Sequence, residues 1–498
     1  MPGESPTKWQ AQAYRFGVRR LESAVSSGDP LLRGDPVRRR LNIALIVSVV
    51  LAALILGGFA VYGFVRPEPS IGDAAVVIDS DTGGAYVARD GRLYPAMNYA
   101  SAMLAAGHGQ SGDKPPSVAQ VNDDAVGREP RGPLLGIPGA PNVLPSTGHL
   151  LDPLWTVCDD TTSDTSLPPG SKPEVSTTAV LGRIAPTVGE LGTDGMLVSV
   201  AGGKTTYLLW TGGRSKIDLR DNTIRLAFDL RSDVQPRPIS AALLNVIPQN
   251  RDIAAPSIDT TGPIPQYAQT LGVQVGEVFG LQRADRSEAI YVALPDGVQP
   301  VTPLVGDLIR DRYDQNQRLP LVAPQLLRDA PRTDSIDLSP YPSVRPRILD
   351  YPQAPVACVF RTGSDPDSTR IYAMQRVPLP ANAKPVSVTE PGSLTVNSVY
   401  LAPGKGAVLA AATQKQPAGA LYVITDEGVG YPVVSGLALS YLGYRGSDVS
   451  VSSPELLSLL PKGPALDPDQ AVHFYPQTGA TARSLPSPPA ATTSSPGG

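Results

Sequence analysis

Between Leu41 and Val65 the chain runs for 25 residues, LNIALIVSVVLAALILGGFAVYGFV, without one charged side chain. At about 1.5 Å of helical rise per residue, such a run crosses a hydrocarbon core of about 30 Å with length to spare. Arg38, Arg39 and Arg40 stand directly before it. Lys and Arg stay on the cytoplasmic side, so this triplet sets the topology. Residues 1–40 are expected inside, and everything beyond Val65 in the exported, periplasmic compartment. A cleavable signal would have an apolar region of about 7–15 residues closing on a small-residue site. Here the run is longer, lies behind 40 residues and ends on Arg66-Pro67. The expectation is a permanent single-pass anchor.

Charge follows the same division. Residues 1–40 carry eight basic and four acidic side chains, hence +4, whereas the whole chain is −4, so the outer part sums to −8. A mildly acidic body has no electrostatic footprint for nucleic acid. The two cysteines, Cys158 and Cys358, both fall outside. In an oxidising compartment an even pair reads as a disulfide, with two separately buried thiols as the alternative. His108, His149 and His473 show no metal-ligand spacing with each other or with the cysteines.

Before the membrane run, Tyr14, Val18, Leu21 and Val25 fall at i, i+4, i+7 and i+11, one apolar stripe of a helix stopped by Gly28-Asp29-Pro30. A short helix cannot bury such a stripe alone, so it lies on lipid or docks on another protein. The chain of 498 residues has 48 Gly and 53 Pro, most of them beyond the apolar run, which predicts many turns and few long helices there, and its 41% hydrophobic content is enough for a core.

Four outer segments resemble one another: Ala85–Gly91, Tyr207–Gly213, Tyr291–Gly297 and Tyr422–Gly428. Each has an apolar strand, then an Asp-Gly, Gly-Gly or Glu-Gly turn, then a second strand, which is the pattern of a β-hairpin. Helix-like stretches follow the first, third and fourth. Two short proline-closed helices, Ser240–Pro248 and Pro454–Pro461, echo each other. The turn glycines have no fixed period. Divergent hairpin-plus-helix units around a central, β-rich, cysteine-bearing region are therefore expected.

No catalytic constellation emerges. Gly203-Lys204-Thr205 ends like a phosphate loop, but Val198 occupies the required first glycine and a strand follows. Asp79–Gly84, with Asp90 twelfth, begins like a calcium loop but offers Gly83 where a ligand belongs. Gly404-Lys-Gly406 is only a turn, and the neighbours Asp159-Asp160 and Asp365/Asp367 read as solvated loop carboxylates. No cofactor or metal site is expected.

Ahead of the apolar run stand Gln10-Ala-Gln-Ala-Tyr-Arg-Phe16 and Arg19-Arg-Leu-Glu22. Beyond it follow, in order, Thr82–Val87, Leu93-Tyr-Pro95, Arg131–Pro141, Trp155–Asp159, Leu294–Val298 and Gly463–Leu466. Together these stretches resemble the EccB family, the single-pass core subunit of the type VII (ESX) secretion membrane complex, with Ala13 in place of the glycine of the family's inner signature. The resemblance implies a structural subunit docked through Tyr14, Arg15, Phe16, Val18, Arg19, Arg20, Leu21 and Val25. It implies EccC, EccD and EccE as partners, self-association of the periplasmic body, and a peptidoglycan contact by fold-level analogy. A nucleotide hydrolase of the same system, or an anchored wall-binding protein, are the alternatives.

The expected fold is α+β. Its parts are a cytoplasmic helix and basic flank (1–40), a transmembrane helix (41–65), a first outer repeat (66–106) and a loose linker (107–130). A periplasmic core with further repeats (131–475) and a disordered Pro/Ser/Thr tail (476–498) complete the chain.

Overall fold

The structure, a computed structural model, describes residues 7–27, 36–65, 71–110, 112–161, 175–183, 185–282, 288–315, 318–350, 354–388, 394–413 and 419–475. The tail expected at 476–498 lies outside them. The chain divides into two units, Met1–Ser70 and Ile71–Gly498.

The first unit holds two helices. α1 (Lys8–Ser27) begins at Thr7, whose carbonyl accepts from Ala11 N and whose N–H donates to Gln10 Oε1 at 3.0 Å. α2 (Pro36–Val65) starts five residues before the apolar run. Proline suits a first helical position because the N–H it lacks would be unpaired there, and the arginines behind it are good helix formers. Between Arg40 and Phe59 its side chains are exposed all round, and this is the one helix among the described residues long and apolar enough to cross a membrane.

The second unit is rich in small sheets. β1 (Val76–Asp79), β2 (Ala85–Arg89) and β3 (Arg92–Ala96) form an antiparallel meander. α3 (Tyr99–Gly107) follows, with the Asn98 side chain accepting from Ser101 N as its cap. β4 (Val118–Val121) returns parallel to β1, α4 (Asp123–Gly127) follows it, and β5 (Leu134–Leu135) pairs parallel with β3. The loose linker expected at 107–130 is thus corrected: it carries β4 and α4, and buries Val121 and Val126 against Leu93.

β6 (Leu154–Asp160) and β7 (Ser176–Leu181) open the central sheet. The next meander is β8 (Met196–Val200), β9 (Thr206–Trp210) and β10 (Gly213–Ile217), then α5 (Asn222–Ala227), β11 (Arg237–Ile239) parallel to β8, and α6 (Ala241–Val246). Sequence reading gave this hairpin no helix; α5 is six residues long, too short for a periodic stripe. α7 (Gln266–Leu271) precedes β12 (Val278–Gln282), β13 (Glu288–Leu294) and β14 (Gly297–Val301), which α8 (Pro303–Arg312) and α9 (Pro324–Leu327) follow. Leu321 bridges in parallel to Gly280 of β12.

The chain then re-enters the central sheet as β15 (Val356–Thr362), β16 (Arg370–Met374), β17 (Val386–Ser387) and β18 (Ser398–Tyr400). The last meander is β19 (Ala407–Ala411), β20 (Leu421–Ile424) and β21 (Gly430–Val433). α10 (Gly436–Tyr441), β22 (Ser450–Ser452) parallel to β19, and α11 (Pro454–Leu457) complete it. α12 (Pro468–Ala471) leads to β23 (Phe474–Tyr475), which pairs with β5.

Hairpins stand at all four places the sequence marks: β2–β3, β9–β10, β13–β14 and β20–β21. In the first, Asp90 and Gly91 have φ of 53° and 68°, the left-handed pair that matches the twist of the strands. All four third strands are also edged the same way, by a segment opening on proline. Leu93, Arg214, Val298 and Gly430 donate their N–H to the carbonyls of Pro130, Pro248, Pro331 and Pro461 at 2.8–2.9 Å. Their own carbonyls accept from Gly132, Asn250, Thr333 and Gly463 at 2.8–3.2 Å.

The central sheet has the order β16-β15-β6-β7-β18-β17, and Cys158 of β6 lies directly opposite Cys358 of β15, joined in a disulfide across 200 residues. Trp155 and Val157 pack with Leu243 of α6 and Leu456 of α11 in the largest core. Leu104 of α3 shares a core with Leu439 and Tyr441 of α10, and Ile224 of α5 one with Leu304 and Leu308 of α8. The first and last meanders are thereby paired on one flank, and the middle two on another.

Candidate functional site

α1 presents Tyr14, Leu21 and Val25 at 75%, 67% and 80% exposure, with Val18 on the same line. A rotation of about 100° per residue keeps these four on one side, while Phe16 and Arg20 fall on the opposite one. The docking residues expected as one set are thus divided by the helix into two faces, with Arg15 and Arg19 between them. Arg40 is exposed at the start of the membrane run. The side chains of Arg38 and Arg39 lie outside the described residues, although their backbone belongs to α2.

A second constellation joins the central sheet to the second meander. Asp159, read from sequence as a solvated loop carboxylate, is fully buried on β6. That reading is corrected: Leu154–Asp160 is a strand, and alternation points Asp159 inward. Its Oδ2 accepts from Ser240 N at 2.6 Å, and its Oδ1 accepts from Ser240 Oγ at 3.0 Å and Thr177 Oγ1 at 2.7 Å. Ser240 Oγ in turn accepts from Leu243 N and so caps α6. Burial pushes the Asp159 carboxyl up to about 6, against the pull of the three hydrogen bonds.

At the first meander, carboxylate oxygens of Asp79, Asp81 and Asp123 lie within 4.8 Å of one another. Asp123 N donates to Asp81 Oδ2 at 3.0 Å, which brings the N-terminus of α4 to the β1–β2 turn. Thr82 Oγ1 donates to Asp79 Oδ2 at 2.5 Å; with the Asp81 N–H, it holds the Asp79 carboxyl below its ordinary range. Three oxygens suit a hard divalent cation, with Asp123 in place of the Gly83 and Asp90 positions weighed in sequence. Asp123 sits too far along the chain for a loop motif to reveal it.

Lys204 sits on the turn between antiparallel β8 and β9, where Gly202 takes φ of 78° and Gly203 N donates to Val200 O at 2.7 Å. A strand follows, so no helix N-terminus faces this lysine. His108 Nε2 lies 3.1 Å from Asp469 Oδ1, and His149 Nδ1 lies 2.8 Å from Ser146 Oγ. Asp365 caps a short helical turn through Asp367 N.

A family model described as "Type VII secretion system ESX-1, transport TM domain B" matches residues 4–475. A Mycobacterium tuberculosis protein named "ESX-2 secretion system ATPase EccB2" is 30% identical over 493 residues, 95% of each chain. The "ESX-3 secretion system ATPase EccB3" of Mycolicibacterium smegmatis is 29% identical over 482 residues, 94% of this chain and 90% of that one. A chain in the structure of an intact ESX-5 inner membrane complex superposes with a TM-score of 0.70 at 26% identity, covering 97% of this chain and 98% of its own. A chain in the structure of the EccB3 dimer from the ESX-3 core complex gives 0.66 at 28% identity, covering 80% and 100%.

Proposed function

The chain belongs to the EccB family and is a core subunit of the type VII (ESX) secretion system, and on that premise we propose that it is a non-catalytic scaffold of the inner-membrane complex. α2 is the anchor, residues before it are cytoplasmic, and the unit beyond Ser70 is periplasmic. The Tyr14–Val18–Leu21–Val25 side of α1, with Arg15 and Arg19 beside it, docks on the EccC, EccD and EccE subunits. The periplasmic unit assembles with a second copy of itself. Its four meanders are divergent copies of one hairpin-plus-helix module around the disulfide-bearing sheet.

One observation carries the scaffold reading. The likeness to a chain of a solved inner membrane complex spans 97% of this chain, too much to leave out either unit. The dimer of a relative supports self-association. The shared proline-led edging of β3, β10, β14 and β21 supports a common module. The name "ATPase" belongs to the relatives; here Lys204 lies on a strand-to-strand turn, with Val198 buried in β8.

The test is secretion in the native host. Tyr14→Ser or Arg15→Gln is expected to abolish export of the system's substrates while the chain remains membrane-embedded. Undiminished export with both changes present would contradict the docking role.

A further inference from the structure

The docking stripe uses one side of α1, and the opposite side has a chemistry of its own. Trp9, Phe16 and Arg20 are spaced by seven and four residues, which at about 100° per residue places them in one narrow arc facing away from Val18. Trp9 is 81% and Phe16 69% exposed. Lys8, Arg15 and Arg19 run along the flank of that arc, and Glu22 is the only acidic residue of the helix, so α1 carries a net +3. Aromatic rings among Lys and Arg are the side chains that favour the headgroup layer, where a ring stays partly apolar and a cation meets phosphate.

The tether keeps α1 near that layer. Eight residues, 28–35, separate Ser27 from Pro36, and fully extended they reach at most about 28 Å. The helix therefore stays close to the bilayer that holds α2, and anionic lipid supplies the opposite charge.

We propose that the Trp9–Phe16–Arg20 side of α1 rests on the anionic phospholipid surface of the membrane that α2 spans. This leaves the Tyr14–Val18–Leu21–Val25 side turned towards protein. The helix is then held between bilayer and partner, and the lipid contact fixes which face the partners meet. The assignment rests on α2 as a membrane span and not on the docking reading.

The test uses the full-length chain in nanodiscs of phosphatidylcholine with phosphatidylglycerol. A nitroxide is placed at Ala13→Cys, beside Trp9 and Arg20, or at Ala11→Cys, beside Val18; Cys158 and Cys358 are bonded to each other and leave the new thiol alone. The label at position 13 should collide with oxygen and be shielded several-fold from a water-soluble nickel complex, and the label at 11 should show the reverse. High salt or pure phosphatidylcholine should narrow the difference. Trp9→Ser, outside the docking set, should narrow the difference in the same anionic discs. Equal nickel access at both positions in anionic discs would overturn the proposal. So would shielding of position 13 that appears only when partner subunits are present, which would assign that side to protein.

Discussion

Asp159 is a buried group through which pH reaches the fold. Its carboxyl ionises near 6 in the folded chain and near 3.8 when unfolded. Between those values the folded state holds a proton that the unfolded state has lost, so this group's contribution to stability falls as pH rises through about 4 to 6 and is level above. A shift of this size corresponds to roughly 3 kcal/mol. Asp159→Asn is expected to flatten this part of the profile: the amide oxygen can accept from Ser240 N–H while its NH2 faces the rotatable hydroxyls of Ser240 and Thr177. Melting temperatures of both chains across pH 4–7.5 check it, and parallel profiles would refute it. Gly107 makes a second point at this scale. A Cβ there would lie 2.3 Å from the Tyr441 ring. Gly107→Ala should therefore destabilise the α3–α10 pairing by about 1–3 kcal/mol, the usual cost of overpacking, read as a shifted urea midpoint with unchanged slope.

Among elements, the β6–β15 pair has the longest closure to maintain. Replacing Cys158 and Cys358 with alanine together should cost up to roughly 4–5 kcal/mol by the chain-entropy account, measured by denaturation against the oxidised chain. A change below about 0.5 kcal/mol would show that the sheet itself already restrains that loop. Elements were legible in sequence where their signal is local. The apolar run gave α2, two turn residues gave each hairpin, and a compartment with two cysteines gave the disulfide. What was lost depends on distant partners. β4 is four residues that become a strand only against β1, and the proline-led segments are single bridges with no period of their own. Asp159 was misread because a charged residue closing a strand looks the same as one opening a loop. The Pro-Arg-Gly-Pro of 130–133 and Pro-Lys-Gly-Pro of 461–464 were the one available hint of a shared edge segment. In both, the glycine lies under a tyrosine ring, Tyr94 or Tyr431, where a Cβ would sit 2.3 Å from ring carbon.

For the whole molecule, the order of meanders along the chain differs from their order in space. The first and last share a core through α3 and α10, closed by β23 on β5, and the middle two share another through α5 and α8. A unit built this way returns its end to its beginning, through β23 on β5. That suits a part whose work is to hold other parts in register. The central claim is membership of a multi-subunit membrane machine as its scaffold. Its most direct test is purification of the tagged full-length chain from native membranes in mild detergent, with identification of what accompanies it. A stoichiometric particle containing a nucleotide-driven motor subunit and a polytopic membrane subunit, whose ATP turnover survives Lys204→Ala in this chain, is the predicted result. A chain that purifies alone and loses ATP turnover with Lys204→Ala would contradict the scaffold account.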